Sequence, residues 1–248
     1  MNSFLLAVQF ITRIPINKEL DYSDQALAKS MVYYPLIGTL LGGILYLIDY
    51  LASLYFGQWV TNSLLILAMV LLTGGIHLDG LMDSCDGLFS GREKEKMLEI
   101  MRDSRVGAFG VIGLVTIFLL KFGLLAEVPS NHKLAILLFF PTISRWSIVY
   151  AAFRYPYARK LGMGKVYADN LKLSDLLVVS MWTLLLAVFL FRLKGILIIV
   201  FTWLFIRIIS KLVIKKIDGL TGDNYGAINE LVEVFSLLVM AFLLRLNF

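Results

Sequence analysis

The chain has 248 residues, of which 59% are hydrophobic and only 17% charged. Soluble domains carry about 25% charged residues, so the composition excludes an ordinary soluble domain and points to a polytopic helical membrane protein. The apolar stretches run continuously and do not alternate, which excludes a β-barrel. The formal charge of +5 is spread over several loops and forms no basic stripe, so nucleic acid is excluded as a partner.

The apolar stretch 3–11 is too short to span a bilayer and is expected to be interfacial or re-entrant. It lacks the basic start and small-residue cleavage site of a signal peptide. Pro15 and the polar "NKELDYSDQ" then break the chain, with Ser23 or Asp24 placed to cap a helix. Seven spans are expected near residues 30–56, 59–77, 106–126, 134–153, 174–191, 195–214 and 226–247. No linker or low-complexity tract divides residues 1–248, so a single all-α transmembrane domain is expected. Seventeen Lys and Arg fall in the loops on one side and four on the other. That bias puts the N-terminus in the cytoplasm and implies a multi-pass protein of the cytoplasmic (inner) membrane.

The second span runs into "HLDGLMDSCDG", residues 77–87. Asp79, Asp83 and Asp86 stand at i, i+4 and i+7, within about 60° of arc on one helical face. Three like charges stacked in this way repel, and a divalent cation at their centre removes the repulsion. Mg²⁺ suits such a site, because it takes a few carboxylates together with water and substrate phosphate oxygens. His77 is placed to orient a carboxylate or to bind phosphate. One cysteine, Cys85, excludes an internal disulfide, and two histidines exclude a histidine-rich metal centre.

"MRDSRVGAFG" (101–110) follows, with Arg102 and Arg105 around Asp103; guanidinium groups beside an acidic cluster suit phosphate binding. "FRYPYARKLGMGK" (153–165) adds Arg154, Arg159 and Lys165 on the same side, where Arg13 also falls. The last span opens on "DGLTGDNYGAINELVE" (218–233). Asp223, Glu230 and Glu233 lie within about 80° of one helical face, and ionisable residues inside an apolar span are functional candidates. Glu230 or Glu233 could instead neutralise Arg145, which sits in apolar sequence. Two acidic faces on one side of the membrane suggest a shared two-metal site, and the chemistry that fits is transfer of a phosphate-containing group.

Five stretches, "QFITRIPI", "YYPLIGTLLGG", "HLDGLMDSCDG", "MRDSRVGAFGV" and "GLTGDNYGAINELVE", together resemble the cobalamin synthase family, over about residues 4–240. These enzymes are adenosylcobinamide-GDP ribazoletransferases, also called cobalamin-5′-phosphate synthases. The resemblance implies a Mg²⁺-dependent membrane enzyme. In it a ribose hydroxyl of α-ribazole, or of its 5′-phosphate, attacks the corrinoid-bound phosphorus of adenosylcobinamide-GDP and expels GMP. It places the metal ligands on Asp79, Asp83, Asp86, Asp223, Glu230 and Glu233, and the arginine–aspartate stretch on Arg102, Asp103 and Arg105. Asp83 and His77 join Asp86 as catalytic candidates, with Asp86 the base by analogy to CDP-alcohol phosphotransferases. A second copy of the chain is an admissible partner. The D-G-x-x-A-R signature of those phosphotransferases fails at Asp83 and Ser84. A prenyltransferase would not carry G-D-x-x-G-A, and a cation-coupled transporter would hold its acids nearer the midplane.

Overall fold

The computed structural model describes residues 2–246, and apart from one isolated bridge those residues form helices and turns. Asn2–Ile11 is a ten-residue helix, α1, too short to cross a bilayer. Asp24–Ser30 (α2) begins at Ser23, whose side chain accepts the Ala26 N–H, so Ser23 is the expected cap. A 3₁₀ turn leads into α3, Tyr34–Ser53, which carries Pro35 in its first turn, where no intrahelical N–H is lost. The remaining helices are α4 (Gln58–Thr73), α5 (Ile76–Leu88), α6 (Lys94–Ile100), α7 (Ala108–Ala126), α8 (Lys133–Arg154), α9 (Met163–Asn170), α10 (Leu173–Phe191), α11 (Leu193–Ile217) and α12 (Gly222–Arg245).

Among the described residues, six helices are long and apolar enough to cross a membrane, and seven if α4 and α5 count as one broken span. The protein is therefore a multi-pass helical membrane protein. The expected spans match α3, α4, α7, α8, α10, α11 and α12. The second one differs: α4 stops at Thr73, and the axis turns by 92° into α5. Gly74 and Gly75 make that corner with φ of 64° and 72°, a conformation that side chains with a Cβ resist. The aspartates consequently sit on a separate helix lying across the end of the bundle.

Helix α8 is central and buried along most of its length, with α3 and α12 packed against it. Lipid contributes no hydrophobic drive between helices, so polar side chains help to join them. Thr39 and Thr142 share a hydrogen bond of 2.9 Å between α3 and α8, and Trp182 of α10 donates to Thr39. Trp146 donates to Ser180, and Trp203 donates to Tyr150. The outer helices α7, α10 and α11 expose much of their apolar surface, including Leu119, Phe189 and Leu212, as lipid-facing helices should.

Candidate active site

The site lies where α5 crosses the start of α12. Gly80 sits against the backbone of Asp223, and Gly226 against that of His77; a β-carbon at Gly80 would collide with Asp223. This close approach brings Asp79 and Asp83 beside Asp223, about 140 residues further along the chain. The Asn224 amide donates to Ser84 Oγ at 2.9 Å and pins the crossing. Thr221 caps α12 by accepting the Asn224 N–H, while Asn224 accepts the Thr221 N–H in return. The expectation that the two acidic helices are neighbours is met at Asp223.

The aspartates differ in what surrounds them. Among the described residues, the carboxylates of Asp79 and Asp83 accept no hydrogen bond, so their oxygens are available. Burial, followed by the charges of Asp79, Asp223 and Asp86, pushes half-buried Asp83 up to about 7. Arg159, itself largely buried, donates to Asp223 Oδ2 at 2.7 Å. Its position comes from a clasp between two loops: Ala158 N–H bonds to Leu220 O, and Leu220 N–H to Pro156 O, each at 2.8 Å. Arg159 is thus placed beside the aspartates, paired with Asp223.

Asp86 is engaged differently. Its two oxygens accept the N–H groups of Gly107 and Gly110, each at 2.8 Å. Gly107 has no side chain with which to cap α7, and Asp86 supplies the missing acceptor from another helix. Both Asp86 oxygens are thus engaged in holding the start of α7, which Asp79 and Asp83 are not.

Glu230 and Glu233 do not join the aspartates. At 1.5 Å per residue they lie about 10 and 15 Å further along the α12 axis than Asp223, so a shared angular face does not make a shared site. Both are buried. Lys121 Nζ donates to Glu230 at 2.6 Å and to Glu233 at 2.5 Å, and Arg145 pairs with Glu233. The cluster holds two acids and two bases and is neutral, which leaves a metal ion no excess charge to neutralise. Their expected metal role is therefore replaced by a structural one. Lys121 was missed, although it is the lone charge in "VIGLVTIFLLKFGLL" and had to find a partner there.

The other basic candidates are spread around this end of the bundle. Exposed Arg105 pairs with Asp103, which it holds down at about 2. Burial pushes the Tyr157 hydroxyl up, and Arg102 is near enough to oppose that shift only in part. Arg13 folds over Gly74 at the α4–α5 corner. Arg154 lies over the Tyr155 ring at 5.8 Å, and Lys165 pairs with Asp169 at 2.8 Å, so neither of these last two is turned to the aspartates. His77 is buried, and its Nδ1 has no hydrogen-bond partner.

Among the described residues, no three His, Cys, Asp or Glu side chains form a group that could hold a metal ion. A preformed cage is not what Mg²⁺ requires, since it is commonly held by one or two carboxylates plus substrate phosphates. Asp79 and Asp83, hard oxygen donors with free lone pairs and a build-up of negative charge, fit that requirement.

The sequence pattern of the family described as cobalamin-5-phosphate synthase matches residues 3–241. A Desulforamulus reducens protein named adenosylcobinamide-GDP ribazoletransferase is 41% identical over 246 residues, covering 94% of each chain. Proteins of the same name are similar in Desulfitobacterium hafniense, at 40% over 243 residues and 96% of each chain, and in Clostridioides difficile, at 37% over 258 residues and the whole of each chain. No solved structure matches. With similarity running from end to end through both aspartate-bearing segments, the chain belongs to the cobalamin-5-phosphate synthase family.

Proposed function

We propose that this transferase moves the adenosylcobinamide phosphate group from adenosylcobinamide-GDP to α-ribazole or its 5′-phosphate, releasing GMP. The observation that carries this reading is the pair of unpartnered carboxylates, Asp79 and Asp83, set beside the Arg159–Asp223 pair. The names of the relatives supply the substrates. A ribose hydroxyl oxygen attacks the corrinoid-bound phosphorus, and the bond from that phosphorus to the GMP oxygen breaks. GMP leaves with the electron pair, and the hydroxyl proton passes to a carboxylate of the Asp79–Asp83 pair. Mg²⁺ held by Asp79 and Asp83 would neutralise charge on the phosphoryl oxygens and the leaving group. Arg159, while paired with Asp223, would donate its remaining N–H groups to substrate phosphate, and Arg102, Arg105 and Arg13 supply positive charge at the rim.

The seventeen-to-four distribution of basic residues supports a site facing the cytoplasm, in the cytoplasmic membrane. The test is GMP release by the purified protein in lipid, supplied with both substrates. Release that requires the acceptor and stops on chelation supports the reading; GMP release indifferent to the acceptor refutes it.

A further inference from the structure

The end of the bundle opposite the aspartates holds a cavity of about 250 Å³, where the end of α3 and the start of α4 meet the end of α7 and the start of α8. Most of the length of α4 separates it from the Gly74–Gly75 corner, so it is no part of the transfer site. Among the described residues, Asp49 and Lys133 are the charged groups that line it. Lys133 Nζ lies 3.3 Å from Asp49 Oδ1 and donates to Asn62 Oδ1 at 3.2 Å and to Leu125 O at 3.5 Å. All three contacts exceed the usual length of about 2.9 Å, so the ammonium is loosely held. Asn62 and Thr61, also in the lining, are 0% and 3% exposed. Among the described residues, the Asn62 amide nitrogen and the Thr61 hydroxyl have no hydrogen-bond partner. Buried polar atoms in folded proteins nearly always have partners, so this pair asks for one from outside the chain.

We infer that this cavity seats the headgroup of a zwitterionic phospholipid with a primary ammonium, of the ethanolamine class. Its phosphate oxygens accept from the Asn62 amide and the Thr61 hydroxyl beside Lys133, and its ammonium pairs with the Asp49 carboxylate. Depth selects a lipid. The cavity lies at the helix ends, where exposed Tyr50, Tyr55 and Trp59 make the kind of aromatic belt that sits at headgroup level. Charge selects the class. The Asp49–Lys133 pair is neutral, so an anionic headgroup would leave a net negative charge beside a carboxylate, whereas a zwitterion meets each member with its opposite. A choline headgroup has no N–H to give Asp49. On the orientation proposed above, the lipid belongs to the outer leaflet.

The experiment uses the full-length protein in nanodiscs of equal parts phosphatidylethanolamine, phosphatidylcholine and phosphatidylglycerol with the same acyl chains. Native mass spectrometry reads which lipids stay on the protein, with no need for turnover. The wild type is expected to retain one phosphatidylethanolamine in preference to the other two, a comparison that needs no variant to fold. Thr61→Val keeps the shape and removes the hydroxyl. It should weaken that retention roughly two- to tenfold, the loss of one neutral hydrogen bond. Asp49→Asn should weaken it roughly ten- to hundredfold, because a charged partner is lost, and should erase the preference over phosphatidylcholine. Glycerophosphoethanolamine, the same headgroup without tails, is not expected to displace the lipid at millimolar concentration. Retention that follows the bulk composition, or a preference for phosphatidylglycerol or phosphatidylcholine, would overturn the assignment. So would unchanged retention in folded Thr61→Val and Asp49→Asn proteins. Displacement by glycerophosphoethanolamine would overturn it as well, and would give the cavity to a soluble ligand.

Discussion

Glu233→Gln separates a structural role for the buried charges from a metal-binding one. Glu233 accepts from Lys121 at 2.5 Å, from Arg145, and from the Asn229 amide at 3.2 Å. The side chains of Lys121, Arg145, Glu230 and Glu233 are all under one tenth exposed. The substitution turns a neutral cluster into one with an excess positive charge in an apolar interior. Breaking a buried pair from one side costs about 3–5 kcal/mol. For a chain of this size each kcal/mol shifts Tm by about 2–4 °C, so a fall of roughly 6–20 °C is expected. The assay is thermal unfolding in detergent or nanodiscs, run with and without Mg²⁺. Combining Glu233→Gln with Lys121→Met restores neutrality and should recover part of the loss. An unchanged Tm accompanied by loss of Mg²⁺-dependent turnover would refute the reasoning and return Glu233 to the metal site.

Three further outcomes follow from the aspartates. Asp83→Asn should abolish turnover while leaving the protein folded by thermal unfolding, because the amide keeps the shape but removes the charge a cation requires; near-normal turnover at saturating Mg²⁺ contradicts that. Asp83 holds its proton up to about 7 in the folded protein, whereas an unfolded chain releases it near 4. The folded state therefore binds more protons in between, and Mg²⁺-free protein should lose stability as pH rises from about 4 to about 7. Asp83→Asn should flatten this part of a Tm–pH curve, and an unaltered slope would show that another group is responsible. Asp86→Ala should free the first turn of α7 and cost about 1 kcal/mol, the value of a lost cap, read as faster amide exchange at Gly107 and Gly110; unchanged exchange there would rule out the capping role.

The membrane helices were legible because about twenty apolar residues in a row have few other solutions. The end of α4 was harder to see, since "TGG" reads equally well as a loose turn or a sharp corner until the sign of φ is known. Helical spacing correctly set Asp79 and Asp83 on one face. The same arithmetic misled at Glu230 and Glu233, because angle about an axis says nothing of distance along it. Asp86 illustrates a different gap: its N–H partners lie 21 and 24 residues away, across a loop whose path no local pattern specifies. Lys121 was open to inference, because an isolated lysine in an apolar span must meet an acid, and Glu230 and Glu233 were waiting in another.

The paired backbone bonds between Pro156–Ala158 and Leu220 bear on how sequences of this family can drift in length. They make residues 156–158 and 220 move as one piece, and Arg159 leaves that piece immediately beside Asp223. An insertion or deletion between Pro156 and Arg159 would rotate the guanidinium away from its carboxylate or break the clasp. Residues 160–162, past the clasp and exposed at Lys160, Leu161 and Gly162, carry no such register. Variation in loop length is therefore expected to collect immediately after Arg159 and to stop abruptly before it.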